Sequence, residues 1–207
     1  MVRDGIFYAL ALSAGGIVIG YLTNPWWGTP LFLLAAFCAW FFRDPDRTPP
    51  PGPVAVSPAD GKVVVVSPES SGRTRVSIFL NIFDVHVNRS PMGGVITDIC
   101  YQKGKFMNAA RATASTENEM NTFTVSGDGV TILFKQIAGL IARRIVCYMN
   151  VGDRVEIGQR VGLIKFGSRC DVIFGPEWKM EVTPGMRVSA GSSVLARRTT
   201  APLKETA

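Results

Sequence analysis

Two apolar runs open the chain. Ile6 to Leu22 carries no charge, and Leu31 to Phe42 forms a second run preceded by Trp26 and Trp27. Asn24-Pro25 between them is a turn signal, so the pattern predicts a helical hairpin within residues 1–47. The first run is near the lower limit for spanning a bilayer, and the second reaches that length only with its tryptophan end included. Tyr21, Trp26, Trp27 and Trp40 sit where interfacial aromatics belong. Two arrangements stay open: a hairpin spanning twice, or a pair of helices lying in or re-entering the membrane. A cleaved signal peptide fits less well, because only Arg3 supplies a basic start and no convincing small-residue cleavage site precedes the second run. Arg43 and Arg47 follow immediately and favour the cytoplasmic face of the cell membrane for the rest of the chain.

Thr48 to Pro53 holds four prolines and reads as a stiff linker over 48–53. From residue 54 to 207 the pattern turns to β. Val63 to Val66, Val76 to Leu80, Phe123 to Val125 and Val130 to Phe134 are short β-branched or aromatic runs separated by Gly, Pro, Ser and Asp. Ser126-Gly127-Asp128-Gly129 reads as a hairpin turn. Gln136 to Arg144 suggests a short helix, and Asn108 to Glu119 is ambiguous. A repeat adds more. The pattern G-x-x-V-x-x-G-x-x-V starts at Gly152 and again at Gly185. Two such units related by a pseudo-twofold suit a small β-barrel and resemble the lipoyl/biotinyl-type barrel sandwich; two copies are too few for a solenoid. The expected class is mainly β (α+β), a barrel-sandwich-like domain behind an apolar helical hairpin.

Composition sharpens this picture. Hydrophobic residues make up 47% and charged residues 18%, with a mean hydropathy of +0.21; the excess sits in the first 42 residues. The formal charge is +6, which suits nucleic acid, an anionic membrane or an acidic substrate. Beside an apolar N-terminus the membrane moves ahead, and no nucleic-acid partner is expected. Cys38, Cys100, Cys147 and Cys170 form no CxxC pair and read as buried free thiols in a reducing compartment. His86 is the single histidine, so a zinc site built from several imidazoles is excluded and no metal is expected.

Chemistry enters through four segments. They are Phe41-Phe42-Arg43-Asp44-Pro45, Ser57-Pro58-Ala59-Asp60-Gly61, Phe83-Asp84-Val85-His86-Val87-Asn88-Arg89-Ser90-Pro91, and Lys165-Phe166-Gly167-Ser168-Arg169, which lies between the two repeat units. Singly each has an ordinary reading: His86 as a satisfied strand histidine, Asp60 as a turn cap, Gly167-Ser168 as a loop. In this order they resemble the phosphatidylserine decarboxylases, in the short bacterial and archaeal-like form, over nearly the whole chain.

The resemblance implies a pyruvoyl-dependent enzyme that makes its own cofactor. Ser168 would attack the Gly167 carbonyl, and elimination would part a β chain of residues 1–167 from an α chain of residues 168–207 that begins with the pyruvoyl group. That group would form a Schiff base with phosphatidylserine, release CO2 and yield phosphatidylethanolamine. A serine hydroxyl needs a base, and His86 is the only imidazole; Asp60 follows as the acid that would fix its tautomer. Asp60, His86 and Ser168 are thus the expected catalytic residues, with membrane lipid and the sister chain as partners and a homo-oligomer left open. One departure stands out. Longer members carry a second histidine where this chain has Arg89, so roles split between two histidines do not transfer. Outside the resemblance, the apolar N-terminus and the repeat also suit a non-catalytic membrane-tethered barrel-sandwich adaptor. A serine hydrolase lacks its Gly-x-Ser-x-Gly context.

Overall fold

The two apolar runs form helices α1 (Arg3–Leu22) and α2 (Pro25–Phe41) in the computed structural model, which describes residues 1–69, 72–107, 117–139, 144–165 and 167–199. Asn24 caps α2: its side-chain oxygen accepts from the Trp26 N–H at 3.1 Å, and Pro25 takes the first helical position, where no N–H is needed. The helices approach closely at Gly16 and Gly28; a Cβ on Gly28 would collide with the Gly16 carbonyl oxygen. Phe7, Leu10, Ile17, Tyr21, Trp26 and Trp27 are exposed. With 20 residues and a mean hydropathy of 1.8, α1 is long and apolar enough to cross a bilayer, whereas α2 has 17 residues. This hairpin belongs to a compact unit, Met1–Asp46, and the β structure to a second, Arg47–Ala207.

The described strands of the second unit are, in chain order, β1 (Val54–Val56), β2 (Gly61–Pro68), β3 (Thr74–Leu80), β4 (Val87–Arg89), β5 (Gly94–Gln102), β6 (Met120–Gly127), β7 (Val130–Ile137), β8 (Ile145–Cys147), β9 (Arg154–Val155), β10 (Arg160–Ile164), β11 (Ser168–Phe174), β12 (Trp178–Met180), β13 (Arg187–Val188) and β14 (Val194–Arg198). They form an eight-stranded sheet in the order β13-β2-β3-β11-β7-β6-β5-β9, and two three-stranded sheets, β1-β14-β12 and β4-β10-β8. The mainly β architecture expected from the sequence is therefore present. Val63, Ile78, Cys170, Val172, Phe123 and Phe134 turn one face of the large sheet into the core, and the Phe123 and Phe134 rings stack at 4.6 Å.

Local chemistry explains the turns. The β6–β7 hairpin closes through Asp128 (φ 50°) and Gly129 (φ 74°), the two left-handed positions that an Asp-Gly pair suits. The repeat is structural as well. Gly152 and Gly185 adopt φ of 94° and 100°, Gly158 and Gly191 adopt 77° and 73°, and the strands that follow are β9 and β10 in one copy, β13 and β14 in the other. The copies meet at their second glycines: an ideal Cβ on Gly158 would lie 3.5 Å from the Gly191 Cα, and the converse distance is the same.

Two sequence expectations are corrected. The helix expected from Gln136 does not form at its start, because Gln136 and Ile137 are the last rungs of β7, laddered to β6 and β11 on both sides; residues 140–143 and 108–116 lie outside the described residues. The thiols are free, but only Cys170 is buried. Cys100 and Cys147 are exposed; among the described residues β8 is an edge strand and β5 beyond Val95 is paired on one side only.

Candidate active site

Topology brings His86 to Gly167. Leu80 at the end of β3 pairs with Ser168 at the start of β11, and Val87 at the start of β4 pairs with Leu163 near the end of β10. The connection 81–86 and Gly167 therefore face each other across the junction of two sheets. His86 is held there by its own backbone, whose carbonyl accepts from the Ile164 N–H at 3.3 Å.

The imidazole lies between two backbone groups with fixed roles. The Gly167 N–H can only donate, and it reaches His86 Nε2 at 3.3 Å; the Asp84 carbonyl can only accept, and it lies 2.9 Å from Nδ1. Together they select the neutral tautomer with hydrogen on Nδ1, leaving the Nε2 lone pair directed at the peptide that precedes Ser168. The Asp84 carbonyl is itself placed by a turn. The Asp84 carboxylate accepts from the Asn81 N–H at 2.9 Å and from Arg187 Nη1 at 3.1 Å. Asp84 thus pairs with Arg187, not with Arg89 as its nearness in sequence suggests. That partner is 103 residues away, and no local pattern announces it.

Ser168 is fully buried, and among the described residues its hydroxyl finds no hydrogen-bond partner. A buried hydroxyl left unpaired carries a desolvation cost and needs an explanation. Gly167, just before it, adopts φ 56° with no atom within 4 Å of where a Cβ would stand. Backbone conformation, not space, is what demands glycine there. Phe166 lies outside the described residues.

Asp60 holds contacts with the linker and the second repeat. Its two oxygens accept from the Ala190 N–H at 2.7 Å and from Arg47 Nη2 at 2.9 Å. The neighbouring Pro58 carbonyl accepts from the Arg89 N–H at 2.9 Å, which sets this segment against the Arg89 end of β4 rather than the His86 end. The structure therefore brings Ser168, Gly167 and His86 together, and ties Asp60 to Arg47 and the second repeat.

Two polar groupings that the sequence did not single out flank the reactive strand. On the face of Ser168, a buried chain runs from Asn121 to Gln136 (3.3 Å), from Gln136 to Asn88 (2.9 Å) and from Asn88 to the Cys170 sulfur (3.4 Å). It links the strand after His86 to the strand that starts at Ser168. Burial, with the Asp171 carboxylate adding to it, pushes the Cys170 thiol far up, so that it stays neutral. On the opposite face, Arg169 Nε donates to Asp171 at 2.6 Å and Arg169 Nη2 to the Ser77 hydroxyl at 2.7 Å, with both charged residues almost wholly buried. Asp171→Ala is expected to destabilise the fold by about 3–5 kcal/mol, because it strands a buried guanidinium. Denaturant melts of uncut protein, in a Ser168→Ala background, provide the check; a loss below about 1 kcal/mol would mean that the pair is not worth what its burial implies.

Comparison with known proteins places this geometry in a family. The profile for phosphatidylserine decarboxylase matches residues 34–196. A phosphatidylserine decarboxylase proenzyme of Solibacter usitatus is 61% identical over 198 residues, covering 96% of this chain and 97% of that protein. A proenzyme of the same name from Polynucleobacter asymbioticus is 39% identical, covering 95% of this chain and 94% of its own. One from Cupriavidus taiwanensis is 43% identical, covering 88% and 90%.

Proposed function

The chain belongs to the phosphatidylserine decarboxylase family, and from that premise we propose that it converts phosphatidylserine to phosphatidylethanolamine and CO2 with a pyruvoyl group made from its own Ser168. The observation that carries this reading is the contact of His86 Nε2 with the Gly167 N–H, beside a buried serine hydroxyl that has no hydrogen-bond partner among the described residues.

The residues suit self-cleavage. The Gly167 N–H bond to Nε2 is long, and giving it up frees the lone pair to take the Ser168 hydroxyl proton. The hydroxyl oxygen then bonds to the Gly167 carbonyl carbon, the amide C–N bond breaks, and the Ser168 nitrogen leaves as an amine, converting amide to ester. Loss of the Ser168 α-proton expels the Gly167 carboxylate and ends the first chain at residue 167. The unsaturated residue left behind takes up water and releases ammonia. The resulting pyruvoyl carbonyl supplies an electron sink for the departing carboxylate. The Asp84 carbonyl holds the imidazole in the tautomer these proton transfers need. Asp60 acts at one remove, fixing the second repeat through the Ala190 N–H and the linker through Arg47.

After the cut the two chains would stay together. Strand β11 lies between β3 and β7, while β13 pairs with β2 and β14 with β1, so the short chain remains laddered into the long one. The exposed apolar side chains of α1 and α2 support attachment of residues 1–47 to the membrane, and Arg43 and Arg47 support a cytoplasmic position for the rest.

The purified protein is expected to run as two fragments whose intact masses match cleavage between residues 167 and 168, with no free amine on the shorter one. In detergent micelles carrying phosphatidylserine it is expected to release CO2 and form phosphatidylethanolamine. Cleaved protein that leaves phosphatidylserine unchanged would overturn the assignment.

A further inference from the structure

Among the described strands, no backbone ladder ties His86 to the strand that begins at Ser168. His86 directly precedes β4, which belongs to the sheet β4-β10-β8, whereas β11 runs between β3 and β7 in the large sheet. Side chains span the gap. Asn121 on β6 is directly opposed to Gln136 on β7, and Gln136 to Cys170 on β11, so the three stand in one row on the same face. Asn88 meets that row from β4: Gln136 Nε2 donates to its Oδ1 at 2.9 Å, and its Nδ2 donates to the Cys170 sulfur at 3.4 Å. Each bond sets the direction of the next. Asn121 donates to Gln136 Oε1 at 3.3 Å, which leaves the Gln136 nitrogen to donate onward, and Asn88 then accepts with its oxygen and donates with its nitrogen. All four side chains are buried beside the stacked rings of Phe123 and Phe134, where apolar groups would avoid the cost of desolvating three amides. Room is made for them as well. Gly162 is the cross-strand partner of Asn88, and an ideal Cβ there would stand 2.8 Å from Gln136 Nε2. A satisfied buried network of this kind fixes one arrangement of the elements it joins.

We propose that Asn88 and Gln136 are positioning residues of the self-cleavage, a clamp between two sheets that sets the approach of His86 to Ser168. The lever is short. Asn88 lies two residues beyond His86 and Cys170 two residues beyond Ser168, on the order of 7 Å along each strand. The Asn88–Cys170 bond and the His86–Gly167 contact are therefore successive rungs between the same two segments. A slip at the first passes to the second, and a misplacement of about 1 Å at the reacting atoms costs on the order of 100-fold in rate. The proposal rests on the reading that Ser168 and His86 carry out the cleavage, but one arm of its test needs no cleavage.

Asn88→Leu with Gln136→Met replaces both ends of the central bond by apolar groups of similar size, a change that can be nearly neutral for stability. In the full chain made by cell-free synthesis, this pair is expected to slow self-cleavage roughly 10–100-fold. In a Ser168→Ala chain the same pair is expected to melt close to Ser168→Ala alone. Cys170→Ser, whose hydroxyl can still accept from Asn88, is expected to mature at near the unaltered rate, and Cys170→Val severalfold more slowly. With His86 the single histidine, isotope-labelled histidine in uncut Ser168→Ala protein gives one imidazole to read by nitrogen NMR. Its Nε2 resonance is expected to move downfield in the Asn88→Leu, Gln136→Met pair, as the bond from the Gly167 N–H weakens, and to hold its place in Cys170→Ser. An unmoved resonance in the paired variant overturns the clamp, whatever the cleavage rate. A moved resonance with unaltered cleavage upholds the clamp and sinks the proposed role of His86 in the reaction. Should the paired variant melt well below Ser168→Ala, the comparison at Cys170 decides, and equal cleavage rates in Cys170→Ser and Cys170→Val overturn the proposal.

Discussion

Changing Ser168 to alanine is expected to leave the purified protein as one uncut chain of 22.4 kDa that releases no CO2 from phosphatidylserine, where the unaltered protein separates into two fragments. The effect should be all or none, because the substitution removes the nucleophile and, with it, the ester oxygen whose departure creates the unsaturated residue from which the pyruvoyl group forms. It should also leave the fold intact. The Ser168 hydroxyl makes no hydrogen bond among the described residues, so alanine breaks none of those and relieves the burial of a polar group that they leave unpaired. Ser168 begins β11, whose pairing with Leu80 uses backbone alone and survives the change. A melting temperature equal to or above that of an uncut reference, together with absent cleavage, therefore separates a chemical loss from a folding one. Denaturing electrophoresis and intact mass read the outcome, and a Ser168→Ala chain still cut between residues 167 and 168 would remove Ser168 from the reaction.

Much of this arrangement was legible in the chain because it is written in short-range terms. Apolar runs with Asn24-Pro25 between them give a capped helical hairpin, and Asp128-Gly129 gives a two-residue β turn. The repeat beginning at Gly152 and Gly185 survives as matching left-handed glycines, since a positive φ restricts the residue type locally. What the sequence hid lies in long-range pairing. Asp60 alone reads as a turn cap, and only the family resemblance implies it as the acid that fixes the histidine tautomer. The fold lays its segment along the Arg89 end of β4, and its oxygens accept from Arg47 and from the Ala190 N–H, contacts that the sequence does not announce. The group that orients His86 is the carbonyl of Asp84, and a backbone atom leaves no signature in residue type. Likewise, Gln136 looked helical because its neighbours permit a helix, and only the presence of β6 and β11 on either side makes it a strand residue. The polar chain through Asn88, Gln136 and Asn121 joins residues up to 48 positions apart, and nothing in their spacing marks it.

Changing His86 to glutamine is expected to slow self-cleavage by roughly 10²–10⁴-fold, the usual worth of a positioned general base. Glutamine is the informative choice because of what it preserves. Its side-chain oxygen can accept from the Gly167 N–H and its amide can donate to the Asp84 carbonyl, the two contacts the imidazole makes now, so the local structure has reason to persist. What glutamine lacks is a lone pair basic enough to take the Ser168 proton. With His86 the only imidazole in the chain, no other ring nitrogen can substitute. His86→Ala complements this test. It leaves a ring-sized space beside Gly167, and added imidazole is expected to restore part of the cleavage rate, a rescue that a purely structural role would not produce. Both variants are followed by the disappearance of the uncut chain over time after refolding or cell-free synthesis. If His86→Gln matures at the unaltered rate, His86 is a packing residue whose nearness to Gly167 has no chemical consequence. If it fails to mature but also melts well below Ser168→Ala, the imidazole serves the fold first. Slow maturation at unchanged stability, with recovery by imidazole in the alanine variant, would assign the proton transfer to Nε2, the atom that the Asp84 carbonyl keeps free of hydrogen.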